Sequence, residues 1–102
     1  MRAMEDVSAG RTELKYDQKV FMVIGGQGER SQMLIEDDNL IVFESLWHAG
    51  PLVHDLQTLG FTARAVPMLL YALYSLAQGM DLGLWVMRHD GTIMAVEEIV
   101  FL

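Results

Sequence analysis

The chain of 102 residues contains no cysteine, two prolines, and only seven Lys and Arg against fourteen Asp and Glu. Without cysteine it can form no disulfide, no thiolate nucleophile and no cysteine-ligated zinc site. Its formal net charge of −7 also lacks the cationic surface by which proteins bind nucleic acids or anionic membranes. The composition therefore predicts a protein that binds neither nucleic acid nor membrane.

Long apolar runs are absent as well. The longest uncharged stretch, residues 65–80, is interrupted by Pro67, Ser75 and Gln78 and is too short to span a bilayer. The first 19 residues contain no apolar segment of the kind found in secretory signals. Together with the absence of cysteine, these features predict a cytoplasmic location.

What the chain does have is apolar side chains, which make up 52% of its residues. A domain of this length buries about 60–70% of its unfolded surface, so its core volume is small. The excess predicts a homodimer, a protein partner or an apolar ligand. The alternative is that the excess is simply exposed, because much of any protein surface is apolar.

The pattern of apolar residues predicts an α+β fold. Residues 1–12 are polar and are expected to form a flexible N-terminal arm, whereas residues 13–102 are expected to form a single domain. Turn residues at 37–39 and 89–91 separate apolar runs typical of strands. The expected order is βββααββ, an antiparallel sheet of about five strands with two helices packed on one face.

The boundaries of the two helices follow from glycine and proline. The first is expected to begin at Pro51 and to end before Gly60, and the second ends at Gly79. Pro67 leaves the start of the second helix open, at Thr62 or at Pro67 itself. Four of the five strands are apolar on both faces, and a sheet covered on one face only would need a second copy on the other.

Catalytic motifs are missing. Gly25, Gly26 and Gly28 lack the Lys-Ser/Thr pair and the following helix of a phosphate-binding loop. The spacing of His48, His54 and His89 places no two of them together on a helical face as metal ligands. The sequence therefore predicts no catalytic residue, no metal site and no cofactor.

Seven residues are candidates for ligand binding. Three are carboxylates that interrupt apolar strands, and four are aromatic residues that could line a cavity with the eight methionines. These candidates are Glu44, Glu97, Glu98, Trp47, Trp85, Tyr71 and Tyr74.

Three functions fit this sequence. The first is a small acidic non-enzymatic interaction module, homodimeric, that binds a protein with a basic surface, as an inhibitor or immunity-like protein does. The second is a binding protein for an apolar or cationic small molecule, with a glutamate as counter-charge. The third is a small enzyme in which an inward carboxylate and a histidine transfer a proton, which requires the two to converge in a cleft.

Overall fold

A computed structural model describes residues 14–27 and 30–96 of the chain. In these residues, one mixed sheet of seven strands is accompanied by two helices. The elements in chain order are β1 (Lys19–Gln27), β2 (Arg30–Met33), β3 (Ile35–Glu36), β4 (Asn39–Phe43), α1 (Leu46–Thr58), β5 (Thr62–Leu69), α2 (Leu70–Gly79), β6 (Gly83–Met87) and β7 (Ile93–Ala95). The α+β class predicted from the sequence is confirmed.

Strand β1 is central. It pairs antiparallel with β5 from Lys19 to Gly26 along one edge, and with β4 and then β2 along the other. The short strand β3 pairs with the start of β4, and β7 closes the opposite side of the sheet by pairing antiparallel with β6. The centre of the sheet therefore lies at β1 and β4, whose residues 20–23 and 40–43 are mostly buried.

The prediction of a purely antiparallel sheet is wrong, because β4 and β6 are parallel over five residue pairs. Between them the chain forms α1, returns as β5 to pair with β1, and crosses back through α2. Parallel neighbours require a crossover of this kind, and this segment supplies it. The number of strands also exceeds the expected five. Thr62–Leu69 is a strand, and the segment between β1 and β4 contains two short strands, β2 and β3.

The two helices lie on opposite faces of the sheet, not on one face as the sequence analysis expected. Val20 and Met22 of β1 pack in a cluster with Leu70 and Leu73 of α2. The residues alternating with them, such as Val23, belong to a second cluster with Ala49 of α1. Successive strand residues point to opposite faces, so strands that are apolar on both are covered by a helix on each. The expected second sheet is therefore not required to cover them.

Pro67 explains the largest local difference. The leucines from position 69 onward have helical spacing, and that spacing extended the expected second helix back to Thr62. Instead β5 occupies Thr62–Leu69 and pairs only with β1 among the described strands. A strand with one unpaired edge accepts proline, since the missing N–H can fall on that edge. The helix then begins directly after it, at Leu70.

Helix α1 begins earlier than expected. It starts at Leu46, with Ser45 as its N-cap residue, and contains Pro51 in its interior. The apolar run of residues 40–47 predicts a third strand that ends at Trp47, but Trp47 lies in the helix, and Glu44 lies in the connection between β4 and α1. The predicted turns are confirmed: Asp37 and Asp38 have φ of 52° and 62°, and Gly91 has φ of 90°.

Several expectations fall outside the described residues. The arm at residues 1–12 and the end of the last expected strand, including Glu97 and Glu98, are among them. Neither helix in the described part of the chain is long and apolar enough to cross a membrane.

Candidate functional site

A group of connected polar side chains lies where β4 and β6 end beside each other. Glu44 follows β4 and Arg88 follows β6, so the parallel pairing of these strands brings the two residues together. The Nε of Arg88 donates a hydrogen bond of 3.0 Å to Oε1 of Glu44. Their side chains are only 6% and 17% exposed, respectively, so this ion pair is largely removed from solvent.

Two further donors reach the same carboxylate. The backbone N–H of His89 donates to Oε1 of Glu44 at 2.8 Å, and Nε2 of Gln18 donates to Oε2 at 3.1 Å. Gln18 precedes β1 directly, and its carbonyl also accepts a hydrogen bond from the N–H of Leu70 at the start of α2. Glu44 therefore joins the segment before β1 to the ends of β4 and β6.

These contacts set the charge state of Glu44. Burial raises the pKa of this carboxyl, because the ionised form loses hydration. The hydrogen bonds from Arg88, from the backbone of His89 and from Gln18, together with the positive charge of Arg88, outweigh that effect. The net result is a pKa below the ordinary value of 4.5, which makes Glu44 an ionised group and a weak base at neutral pH.

Two of the three histidines lie next to this ion pair. Nε2 of His48, in the first turns of α1, is 2.9 Å from the carbonyl oxygen of His89. Because a carbonyl can only accept, this contact requires a proton on Nε2 of His48. Nδ1 of His89 is in turn 3.0 Å from Oγ of Ser45. His54 lies elsewhere, on the exposed side of α1.

The third function, a small enzyme, requires a carboxylate and a histidine that converge in a cleft. Part of this requirement is met, since two histidines lie close to Glu44. The contacts of these side chains, however, are those of a group that stabilises the fold by connecting neighbouring elements. The described contacts of the His48 and His89 rings are to a carbonyl and a hydroxyl, and Glu44 receives its hydrogen bonds from Arg88, Gln18 and a backbone N–H. A carboxylate held in this way fixes the turn after β6 against the start of α1.

The four candidate aromatic residues do not lie together. Tyr74 of α2 and Trp85 of β6 line one cleft of about 240 Å³, along with Asn39 and Gln78. Tyr71 instead lies beside Tyr16, with ring centroids 6.1 Å apart and planes at 53°.

Trp47, the fourth candidate, projects into solvent from the start of α1 and is 75% exposed. Glu44 does not line the cleft of Tyr74 and Trp85, and Glu97 and Glu98 lie outside the described residues. The sequence analysis had grouped these residues around one cavity. In the described part of the chain, Glu44 and the four aromatic residues occupy four separate places.

Sequence analysis missed Gln18 and Arg88. Arg88 follows the apolar run of β6 as directly as Glu44 follows that of β4. If the two strands had been recognised as parallel neighbours, these opposite charges at their carboxyl ends would have been expected to meet. Gln18 carries no such signal, because its side chain reaches Glu44 from 26 positions away.

No group of three or more His, Asp or Glu side chains in residues 14–27 and 30–96 could hold a metal ion. Comparisons of the chain with protein-family models, with curated proteins and with solved structures gave no match.

Proposed function

We propose that the protein is a small acidic interaction module, without catalytic activity of its own, that binds another protein through the exposed side of α1. The observation that carries this proposal is the 75% exposure of Trp47. Tryptophan is enriched among the residues that dominate binding energy at protein interfaces, because it removes a large apolar surface from water on binding. An indole in this position contributes nothing comparable to the core of the protein.

The surroundings of Trp47 suit a contact surface. Pro51 and His54 follow it at spacings of four and seven residues, which places them on the same side of the helix, and both are exposed. Leu46, the residue before it, is 53% exposed. Pro51 has no N–H to donate to the carbonyl of Trp47, which lies one turn earlier. That carbonyl can therefore accept a hydrogen bond from a partner or from water.

Charge indicates the kind of partner. The chain carries −7, and Asp55 is exposed immediately beyond His54 on α1. A chain of net negative charge attracts a protein with a basic surface and accelerates their association. We include in the proposal the expected cytoplasmic location, where a chain without cysteine needs no disulfides to be stable.

The test compares partners captured by three tagged forms of the protein in a cell extract. Wild type, Trp47→Ala and Leu59→Ala are used, because Leu59 is 70% exposed at the far end of α1 and serves as a matched apolar control. A captured protein is then purified and titrated against each form by calorimetry. We expect Trp47→Ala to weaken binding by about 30-fold, the effect of losing a major anchor, and Leu59→Ala to change it by less than about threefold.

Two outcomes would contradict the proposal. In the first, wild type retains no partner that Trp47→Ala loses. In the second, both alanine variants bind the purified partner as tightly as wild type does. Circular dichroism of each variant checks that the fold is intact, which we expect because both side chains project into solvent.

A second candidate function rests on the cleft of Tyr74 and Trp85. Its volume of about 240 Å³ is slightly below the usual range for ligand pockets, so it would suit a small aromatic or cationic molecule. Native mass spectrometry of the protein as purified from cells tests this, since a bound molecule adds mass that denaturation removes. An unchanged mass in native conditions, with and without Trp85→Phe, would argue against the cleft as a site.

A further inference from the structure

The outer surface of α2 differs from the rest of the chain in having no charge. No Asp, Glu, Lys or Arg occurs between Arg64 and Asp81, in a protein in which 21% of residues are charged. Part of this stretch is buried, since Leu70, Leu73 and Ala77 of α2 pack against the sheet. The remainder faces outward without charge: it includes the polar residues Ser75 and Gln78, but also the large apolar side chains of Leu76 and Met80.

Three large apolar side chains lie on one flank of this helix. Leu69 precedes its first residue, and Leu76 and Met80 follow at spacings of seven and eleven, close to whole helical turns. They are 40%, 37% and 42% exposed, respectively. Tyr74 and Gln78 lie on the other flank, where they line the cleft with Trp85. We name the apolar flank of Leu69, Leu76 and Met80 the α2 flank.

We propose that the α2 flank binds the same flank of a second copy of this chain, forming a two-fold symmetric dimer. The distribution of charge favours a second copy over a basic protein at this surface. A basic partner would be attracted by carboxylates, and the α2 flank has none. A second copy carries the same −7 and is repelled wherever acidic surfaces face each other, so two copies associate best through a surface without charge.

Symmetry supports the same conclusion. In a two-fold dimer each patch meets its own equivalent, so the patch must be complementary to itself. Two uncharged helix flanks with leucine and methionine side chains one to two turns apart can interdigitate as ridges and grooves. This dimer uses α2, whereas the proposed contact with another protein uses α1 on the opposite face of the sheet. One copy can therefore form both contacts at once.

The small exposed area of the α2 flank determines how tightly the dimer is expected to form. Three side chains, each about two-fifths exposed, provide well under the roughly 800 Å² that each partner contributes to a stable interface of standard size. We therefore expect a weak dimer whose population rises with concentration. Analytical ultracentrifugation over a series up to about 1 mM, a range that covers weak complexes, should show a monomer–dimer equilibrium.

The decisive variant is Leu76→Glu, which places two like charges across the symmetry axis. We expect it to raise the dissociation constant of the dimer by about a hundredfold or more, since facing like charges are strongly unfavourable. The matched control is Gln78→Glu, which adds the same charge to the other flank of the same helix. It should leave the dissociation constant within about threefold of wild type, because its position is outside the contact.

A wild-type chain that stays monomeric throughout the series would overturn the proposal. So would a dimer that Leu76→Glu leaves intact, or equal weakening by both charge variants, which would indicate general repulsion instead of a local contact. Leu76→Ala, which adds no charge and suits a helix, is used in addition. If Leu76→Glu fails to fold by circular dichroism, a dissociation constant for Leu76→Ala that does not exceed that of wild type contradicts the α2 flank as the contact.

Discussion

At the scale of single residues, the ion pair of Glu44 and Arg88 is the contact whose loss has the clearest consequence. Replacing Glu44 by Gln keeps the shape of the side chain but removes its charge. Arg88, whose side chain is 6% exposed, then loses a carboxylate partner. We expect the free energy of unfolding at pH 7 to fall by about 1–3 kcal/mol, the usual range for hydrogen bonds to a charged group. Urea denaturation of both proteins measures the difference.

The effect of Glu44→Gln should depend on pH in a defined direction. The folded protein lowers the pKa of Glu44, so ionisation of this group stabilises the fold above the ordinary carboxyl value of 4.5. That stabilisation decreases as the pH falls below this value and is gone once the pH is below the lower, folded pKa. The difference between wild type and Glu44→Gln should therefore shrink at acid pH.

An exposed carboxylate provides the control for this measurement. Glu36 lies in β3 and its residue is exposed, so Glu36→Gln should change the free energy of unfolding by less than about 0.5 kcal/mol at pH 7. If Glu36→Gln costs as much stability as Glu44→Gln, overall charge and not the ion pair is responsible. A difference for Glu44→Gln that stays constant from pH 7 to acid pH would equally contradict the explanation.

At the scale of elements, the parallel pairing of β4 and β6 depends on the absence of a side chain at Gly83. Gly83 pairs with Asn39, and a Cβ added there would overlap the Asn39 side-chain oxygen. Asn39 has little room to move, because its side-chain amide donates to the carbonyl of Asp37 at 2.8 Å. We expect Gly83→Ala to lower the free energy of unfolding by about 1–3 kcal/mol, the usual cost of overpacking.

Gly79 offers a matched control for that substitution. A Cβ added at this last residue of α2 meets no atom within 4 Å. Gly79→Ala should therefore be neutral or stabilise the protein by up to about 1 kcal/mol, because alanine favours a helix over glycine. Thermal unfolding at low protein concentration compares the two variants. Equal stability of Gly83→Ala and wild type would show that the Asn39 side chain moves aside for the added methyl group without cost.

The same elements show how far sequence alone could lead. The turn at Asp37 and Asp38 and the hairpin turn at Gly91 were predicted because each depends on a few neighbouring residues. The α+β class was inferred from such local patterns of apolar runs and turns. In contrast, the parallel pairing of β4 and β6 joins residues separated by α1, β5 and α2, and no local pattern specifies it.

The candidate site was less predictable than the fold, for the same reason. Glu44 was identified because a carboxylate that interrupts an apolar strand is unusual, but its partner Arg88 is 44 positions away. Exposure of Trp47 could not be foreseen while it was assigned to a strand. Pro51 produced that error, since proline favours the first turn of a helix and here stands further inside one. Pro67 led to the opposite error: Thr62 was considered as the start of a helix, whereas residues 62–69 form an edge strand, which accepts proline.

At the scale of the whole molecule, the net charge of −7 predicts that the two proposed contacts respond to salt in opposite directions. Binding of a basic protein to this acidic chain through Trp47 should weaken as salt rises, because screening removes an attraction. The dimer formed by the α2 flank should strengthen or stay constant, because screening removes a repulsion between two acidic copies. Calorimetry for the first contact and ultracentrifugation for the second, from low salt to about 0.5 M, measure both trends. A dimer that dissociates as salt rises would have to be held by attraction between opposite charges and not by the apolar side chains of the α2 flank.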